Sequence, residues 1–309
     1  MTPEPFAQPA TFTNRTVIVT GAAGSIGRPL CVAFARAGAN VLVNDLGGHA
    51  EGGGSSTEAA DRVVAEIRSF GGKAVADYHS VTEGEKMVAK AIDAFGRLDI
   101  IVNNAGIVRH GSVSAQSLQD FRDVLEVNTL GAVSLTLAAW PHFQQQRYGR
   151  IVNFISDSVV GMKNLSSYIV SKAALIGATK SFALEGAEFG ILVNAVGPVA
   201  FSRMRGPTMP EEKEAERLRD MFAGEGNVPM ILALCCESSD ASGRVWCLGS
   251  FNVSELCLGF RHGVSGARTM EEILENKEAV FSRHKVINDA SDIGDLMKKR
   301  GTGYEPLGE

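Results

Sequence analysis

The sequence has no excess of positive charge. Across 309 residues, 30 lysines and arginines stand against 35 aspartates and glutamates, a formal net charge of -5. No Lys/Arg-rich stripe appears, so the electrostatic footprint of a nucleic-acid partner is missing. Cysteine is scarce: Cys31, Cys235, Cys236, Cys247 and Cys257 are odd in number and contain no C-x-x-C pair. That argues against a disulfide framework or a zinc site and fits a reducing, cytoplasmic setting. His110, His142 and His262 are scattered without a second ligand at metal spacing, and no metal is expected. No apolar run is long enough to span a bilayer, and residues 1–14 lack a cationic stretch followed by an apolar one. The closing Pro306-Leu307-Gly308-Glu309 is not a peroxisomal address of the S-K-L kind. A cytoplasmic protein with no membrane partner is therefore expected.

What is present reads as an α/β protein. Hydrophobic residues make up 45% and charged residues 21%, enough apolar side chains for a sizeable core. Short β-branched runs alternate with stretches of helical period, the pattern of βαβ units around a parallel sheet covered on both faces. Strands are predicted over 16–20, 40–45, 73–77, 99–103, 149–156, 191–196 and 244–248, seven in one doubly wound sheet. Helices are predicted from near Ser25, Ser56, Thr82, Ser117, Ser166 and Pro210. Thr82 with Glu85 and Ser117 with Asp120 have capping-box spacing. The run from Gly47 to Ser56 is Gly-rich and reads as a flexible surface loop. After Val253 the alternation stops. One domain over 1–253, with 1–14 extended, is followed by a tail over 254–309 that packs on its own or a neighbouring subunit. Helices are predicted in the tail from Thr269, with Glu272 completing a capping box, and over 291–300.

The first strand runs into Thr20-Gly21-Ala22-Ala23-Gly24-Ser25-Ile26-Gly27 and then a helix, the setting of a dinucleotide fingerprint. Small residues admit a pyrophosphate close to the backbone, and the helix amino end favours its charge. A glycine turn alone is equally a tight packing device. Asp45, ending the second strand, adds a carboxylate that accepts hydrogen bonds from ribose hydroxyls and repels a 2′-phosphate. No Arg or Lys occupies positions 22–26 or 46–50, so NAD is favoured over NADP.

Tyr168 and Lys172 lie four apart at the start of a helical stretch, on one face. A nearby ammonium lowers the pKa of a phenol, ordinarily near 10, toward the range of a base. By itself Y-x-x-x-K is common on solvated helix faces. Its company changes the reading: Ser156 ends the fifth strand and Asn103-Asn104-Ala105-Gly106 follows the fourth. In open α/β sheets such strand ends converge on the ligand.

Together these motifs resemble the short-chain dehydrogenase/reductase family, from Thr16 to about Val253, and within it the (3R)-hydroxyacyl-CoA dehydrogenase domains of multifunctional β-oxidation enzymes. That finer likeness rests on Val43-Asn44-Asp45-Leu46-Gly47-Gly48, Gly71-Gly72-Lys73-Ala74-Val75-Ala76, Ala94-Phe95-Gly96-Arg97-Leu98-Asp99 and Ser202-Arg203-Met204. The resemblance implies a Rossmann-type fold and a catalytic set of Asn128, Ser156, Tyr168 and Lys172, with Asn128 holding a water that relays protons from the lysine. It implies an NAD site lined by Gly21, Ser25, Ile26, Asp45, Leu46, Ser80, Val81, Asn104, Ala105, Gly106 and Val199, together with Tyr168 and Lys172. It also implies a homodimer or homotetramer through the helices starting at Ser117 and Ser166. The expected reaction interconverts a 3-hydroxyacyl-CoA and its 3-oxo form; a steroid or other hydrophobic ketone is the alternative substrate, and a silent NAD-binding sensor or scaffold the alternative role. Four positions depart from the family pattern. Ser25 replaces a glycine, His79 replaces the aspartate that caps adenine, Ser156 to Tyr168 is one residue short, and Val199 follows Gly197-Pro198 where the family has Pro-Gly.

Overall fold

The computed structural model describes residues 12–200, 222–258 and 268–276. Eight strands form one sheet: β1 (Thr16–Thr20), β2 (Asn40–Asn44), β3 (Lys73–Asp77), β4 (Ile100–Asn103), β5 (Gly149–Phe154), β6 (Ile191–Pro198), β7 (Val245–Gly249) and β8 (Asn252–Glu255). Their spatial order is β3-β2-β1-β4-β5-β6-β7-β8. The first seven run parallel, and β8 pairs antiparallel with β7. Every residue of β1, β4 and β5 is buried, as expected where a parallel sheet is covered on both faces.

Period-2 alternation sends β1 side chains into two cores. Val17 and Val19 meet Leu30 and Phe34 of α1 (Gly27–Arg36), Val63 and Ile67 of α2 (Glu58–Ser69), and Ile231 of α7 (Val228–Cys235). Ile18 faces the other way, toward Met87 of α3 (Gly84–Phe95), Leu135 and Phe143 of α5 (Gly131–Gln146), and Ala183 of α6 (Ser166–Gly186). Between α4 (Leu118–Leu125) and α5 the helix passes through a π-helical turn, Glu126–Leu130. A last short helix, α8 (Met270–Glu275), begins at Thr269 with the expected capping box, and Ser117 with Asp120 caps α4 in the same way.

Three expectations are corrected. The sheet has an eighth strand, because Ser250 and Phe251, both at positive φ (47° and 63°), make a two-residue turn that folds β8 back on β7. Thr82 and Glu85 form no capping box: Thr82 Oγ1 pairs with Ser80 Oγ at 2.9 Å, and α3 starts two residues later behind Glu83. The Gly-rich run after β2 is not a loose loop. His49 N–H donates to Gly53 O at 2.9 Å, Ser56 N–H to Leu46 O at 2.9 Å, and Val108 N–H, beyond β4, to Ala50 O at 3.0 Å. The helices predicted from Pro210 and over 291–300 lie outside the described residues. Among the described residues no helix is long and apolar enough to cross a membrane.

Candidate active site

The carboxyl ends of β1, β2, β4, β5 and β6 deliver the expected residues to one edge of the sheet. At its centre lies the turn after β1. Gly27 packs directly on the Gly21 carbonyl, where any Cβ would collide, and α1 rises from there with no side chain capping its amino end. Asn104 holds the turn from the neighbouring strand: its Nδ2 donates to Thr20 O at 2.7 Å and Gly21 O at 2.9 Å. Thr20 Oγ1 in return accepts the N–H groups of Asn104 (3.1 Å) and Ala105 (3.0 Å). The preceding Asn103 does separate work. It is buried, and its Nδ2 donates to Asn153 Oδ1 at 2.9 Å, while Asn153 donates to Thr179 on α6 at 2.9 Å.

The groove so formed is floored by Gly21, Ala23, Gly24, Ala105 and Gly106, none with a side chain beyond a methyl group, and Ala22 between them is buried in the core. Such a floor, beside a helix amino end and a carboxylate, fits the pyrophosphate and ribose of a dinucleotide. The carboxylate is Asp45: its two oxygens accept Ala23 N–H and Gly47 N–H, each at 2.8 Å, which joins the turn to the Gly-rich segment. Ser25 is exposed at the turn tip with half-buried Ile26 beside it, and Leu46 is also exposed. Past β3, Ser80 N–H donates to Glu83, and Val81 packs on Gly131. His79 turns back, with Nδ1 2.9 Å from Asp77 Oδ2. At the far end, Val199 N–H donates to Leu248 O at 2.8 Å, and its carbonyl accepts from Asn227 Nδ2 at 3.3 Å.

Ser156, Tyr168 and Lys172 meet above β5. Ser156 follows β5 and starts a short 3-10 turn, its Oγ accepting from Ser158 N–H at 3.2 Å and Ser158 Oγ at 2.9 Å. The Tyr168 phenol is hydrogen-bonded to Ser156. Lys172 is 3% exposed; its Nζ donates to Phe154 O at 2.7 Å and lies 5.7 Å from the centre of the Tyr168 ring. Burial pushes Tyr168 up to about 12, with the Ser156 hydrogen bond pulling the other way. Burial draws Lys172 down to about 8. Among the protein's own groups, then, the phenol moves away from the range of a base, because desolvation outweighs the Ser156 hydrogen bond. The Tyr168 ring is half-buried.

Asn128 sits in the π-helical turn, buried, with its amide fully engaged: Oδ1 accepts Ile107 N–H at 2.8 Å, and Nδ2 donates to Ile107 O and Ser171 Oγ, both at 3.0 Å. It clamps the segment after β4 to α6. Gly106 packs beside it, and a Cβ there would lie 3.1 Å from Asn128 Oδ1 and 3.4 Å from Lys172 Nζ. Two contributors went unread in the sequence. Ser171 Oγ donates to Tyr168 O at 2.7 Å, joining Asn128 to the tyrosine's own turn, and Ser158 holds Ser156. A serine inside Y-x-x-x-K was the only sign of the first.

A family model described as short chain dehydrogenase matches residues 15–213. The chain is 42% identical over 251 residues to the peroxisomal multifunctional enzyme type 2 of Mus musculus, covering 81% of this chain and 34% of that protein. Full-length peroxisomal multifunctional enzyme type 2 from Drosophila melanogaster superposes with a TM-score of 0.71 at 28% identity, covering 93% of this chain and 49% of the other. A short chain dehydrogenase from Mycobacterium avium does so with a TM-score of 0.70 at 29% identity, covering 96% and 98%. The chain thus spans between a third and a half of the multifunctional relatives. With the motif residues assembled at one sheet edge and the family model matching most of the sheet, the chain belongs to the short-chain dehydrogenase/reductase family, oxidoreductases acting on CH–OH groups.

Proposed function

We propose that this protein interconverts a secondary alcohol and a ketone with NAD, and that its substrate is a 3-hydroxyacyl-CoA or the matching 3-oxoacyl-CoA. The observation that carries the reading is the meeting of Ser156, Tyr168 and Lys172 beside a small-residue groove that ends at Asp45. The nicotinamide, when bound, supplies or accepts the hydride. Gly21, Ser25, Ile26, Asn104, Ala105 and Gly106 would hold the dinucleotide along the groove, and Asp45 and Leu46 its adenosine ribose. Ser80 and Val81 would line the adenine and Val199 the nicotinamide end. Ser156 orients the substrate oxygen. Tyr168, protonated at neutral pH given its upward shift, donates the proton to a ketone oxygen during reduction. Lys172 would hold ribose hydroxyls and stabilise the phenolate left behind, and Asn128 would keep the segment after β4 in place for a proton path.

The acyl-CoA assignment rests on the similarity to peroxisomal multifunctional enzymes type 2, and the NAD preference on Asp45. The cytoplasm expected from the cysteine content is retained as the proposed location; the peroxisomal relatives make the peroxisome the competing compartment, and imaging of the tagged chain decides between them. A homodimer or homotetramer is supported by exposed Leu130 and Leu137 near α5 and by Val170 and Leu184 on α6. We also propose one domain through Val253, with the rest a tail.

The deciding experiment follows NADH oxidation with acetoacetyl-CoA against a steroid ketone, for the wild type and Tyr168→Phe. Turnover on the acyl-CoA, lowered on the order of a hundredfold or more by Tyr168→Phe with NADH affinity kept, is expected for a general acid. A variant that retains more than a few per cent of turnover overturns the assignment of Tyr168.

A further inference from the structure

The chain that leaves β4 returns to the active site at the start of α6. Asn128 holds Ile107 by both its N–H and its carbonyl. Further on, Gly111 N–H donates to Asn164 O at 3.0 Å, and Gly111 forms an isolated parallel β-bridge with Leu165. A turn closed by Gln116 N–H on Ser112 O, at 3.0 Å, then brings the Gln116 side chain back between the two segments. Its Nε2 donates to Arg109 O at 2.8 Å, and its Oε1 accepts Ser167 N–H at 3.1 Å. Those partners fix which way the amide faces, because the reverse setting would oppose two oxygens and two donors.

Ser167 is the second residue of α6, and Tyr168 follows it. The first N–H groups of a helix have no partner within it, and Leu165, at the N-cap position, offers no side-chain acceptor. Gln116 supplies that acceptor from 51 residues away. The two functional side chains of α6 are held unequally. Lys172 lies a turn further in, with its Nζ on Phe154 O at 2.7 Å. Tyr168 stands in the first turn, where helix ends fray, and its phenol must still meet Ser156. Ser171 Oγ holds the Tyr168 carbonyl from the inner side, and Gln116 holds the N–H just before it from the outer side.

We propose that Gln116 is a positioning residue for Tyr168: it caps the first turn of α6 and so sets the phenol against Ser156 and the substrate oxygen. This rests on the alcohol–ketone reading above. Gln116 acts through the start of the helix and not on the reacting atoms. The acceptor half of its amide serves the tyrosine; the donor half serves the segment after β4. Glutamate keeps the acceptor, and the helix amino end favours its charge, whereas methionine has the length and neither group. The two substitutions therefore separate a cap from mere filling of space.

Two readouts test this in wild type, Gln116→Met and Gln116→Glu: kcat for acetoacetyl-CoA reduction at saturating NADH, counted per NADH-binding site, and amide hydrogen exchange of residues 167–169 by NMR. Gln116→Met is expected to lower kcat on the order of tenfold or more with Kd for NADH within about twofold of wild type, because a misplaced acid loses rate and not cofactor. Exchange at 167–169 should quicken about fivefold or more in Gln116→Met, the effect of a lost cap, and Gln116→Glu should stay within about threefold of wild type in both readouts. A side chain that only stabilised the fold would leave kcat per binding site unchanged. Wild-type kcat in Gln116→Met, or a fall in Gln116→Glu as deep as in Gln116→Met, overturns the proposal while the alcohol–ketone reading stands. If wild type reduces no ketone, that reading fails, and exchange alone decides whether Gln116 holds the turn of Tyr168; rates unchanged in Gln116→Met overturn it. Should Gln116→Met not fold, Gln116→Lys, which keeps a donor and lacks the acceptor, replaces it with the same losses expected.

Discussion

Replacing Lys172 with methionine gives the sharpest test of the site's electrostatics. Lys172 is 3% exposed, and burial draws it from 10.5 to about 8. At about 1.4 kcal/mol per pKa unit, the folded protein carries about 3 kcal/mol against holding that charge, relative to the unfolded chain. The sign follows from the depressed value. Below about pH 8 the lysine is protonated in both states, and the cost is borne in full. From there up to 10.5 the unfolded chain holds the proton that the folded one has lost, so stability from this group rises with pH; above 10.5 the cost is gone. Methionine has no such titration. The stability of wild type minus that of Lys172→Met, measured by urea unfolding at fixed protein concentration from pH 7 to 10.5, should therefore climb by about 3 kcal/mol. Cys31 and Cys235, both pushed upward by burial, titrate in both chains and cancel. A difference that stays flat, or falls, would refute the account of Lys172 as a desolvated cation.

The same shifts give a kinetic signature: kcat/KM for ketone reduction should decline above about pH 8 as Lys172 loses its charge, with no matching loss from Tyr168 until far higher pH, and a profile level through pH 10 counts against it. Asn104→Ala removes the donor to Thr20 O and Gly21 O; a loss of about 1–3 kcal/mol in unfolding free energy, with KM for NAD raised more than kcat falls, is the expected result. Ser171→Ala leaves a buried Asn128 N–H without its acceptor and should cost about 1–3 kcal/mol, lowering kcat while NADH affinity holds; wild-type stability and turnover would show that the Asn128 clamp does not depend on it.

The sheet was readable because its strands are near-continuous β-branched runs, and the site because its members end strands or begin helices. Thr20, Asp45, Asn103, Ser156 and Val196 could be placed at one edge as the strand ends of an open α/β sheet. What escaped the sequence depends on pairings between distant residues. Nothing in Ser250-Phe251 marks a tight turn, since neither is a residue that favours positive φ, so β8 was invisible. Asn103 and Asn104 are neighbours of one type, yet one serves a buried polar chain to α6 and the other the turn after β1. The Gly-rich segment looked loose because what orders it, the Val108 N–H bond to Ala50 O, comes from another strand's end. The direction of the Tyr168 shift turned on burial, which is not visible in a four-residue spacing.

The π-helical turn at Glu126–Leu130 has a consequence for how this chain can vary. One residue added to an α-helix advances everything after it by about 100°, a full step of the 3.6-residue period. Here the step separates α4, whose inner side lies along α6, from α5, whose inner side lies along α3. One uninterrupted rod therefore serves two neighbours at two different angular settings. Apart from Asn128, substitution within the turn alters local contacts only, whereas deleting a single residue from it would restore a regular helix and swing one entire apolar face out to water. Away from that clamp, the segment tolerates changes of letter far better than changes of length, the reverse of what holds for surface connections elsewhere in the fold.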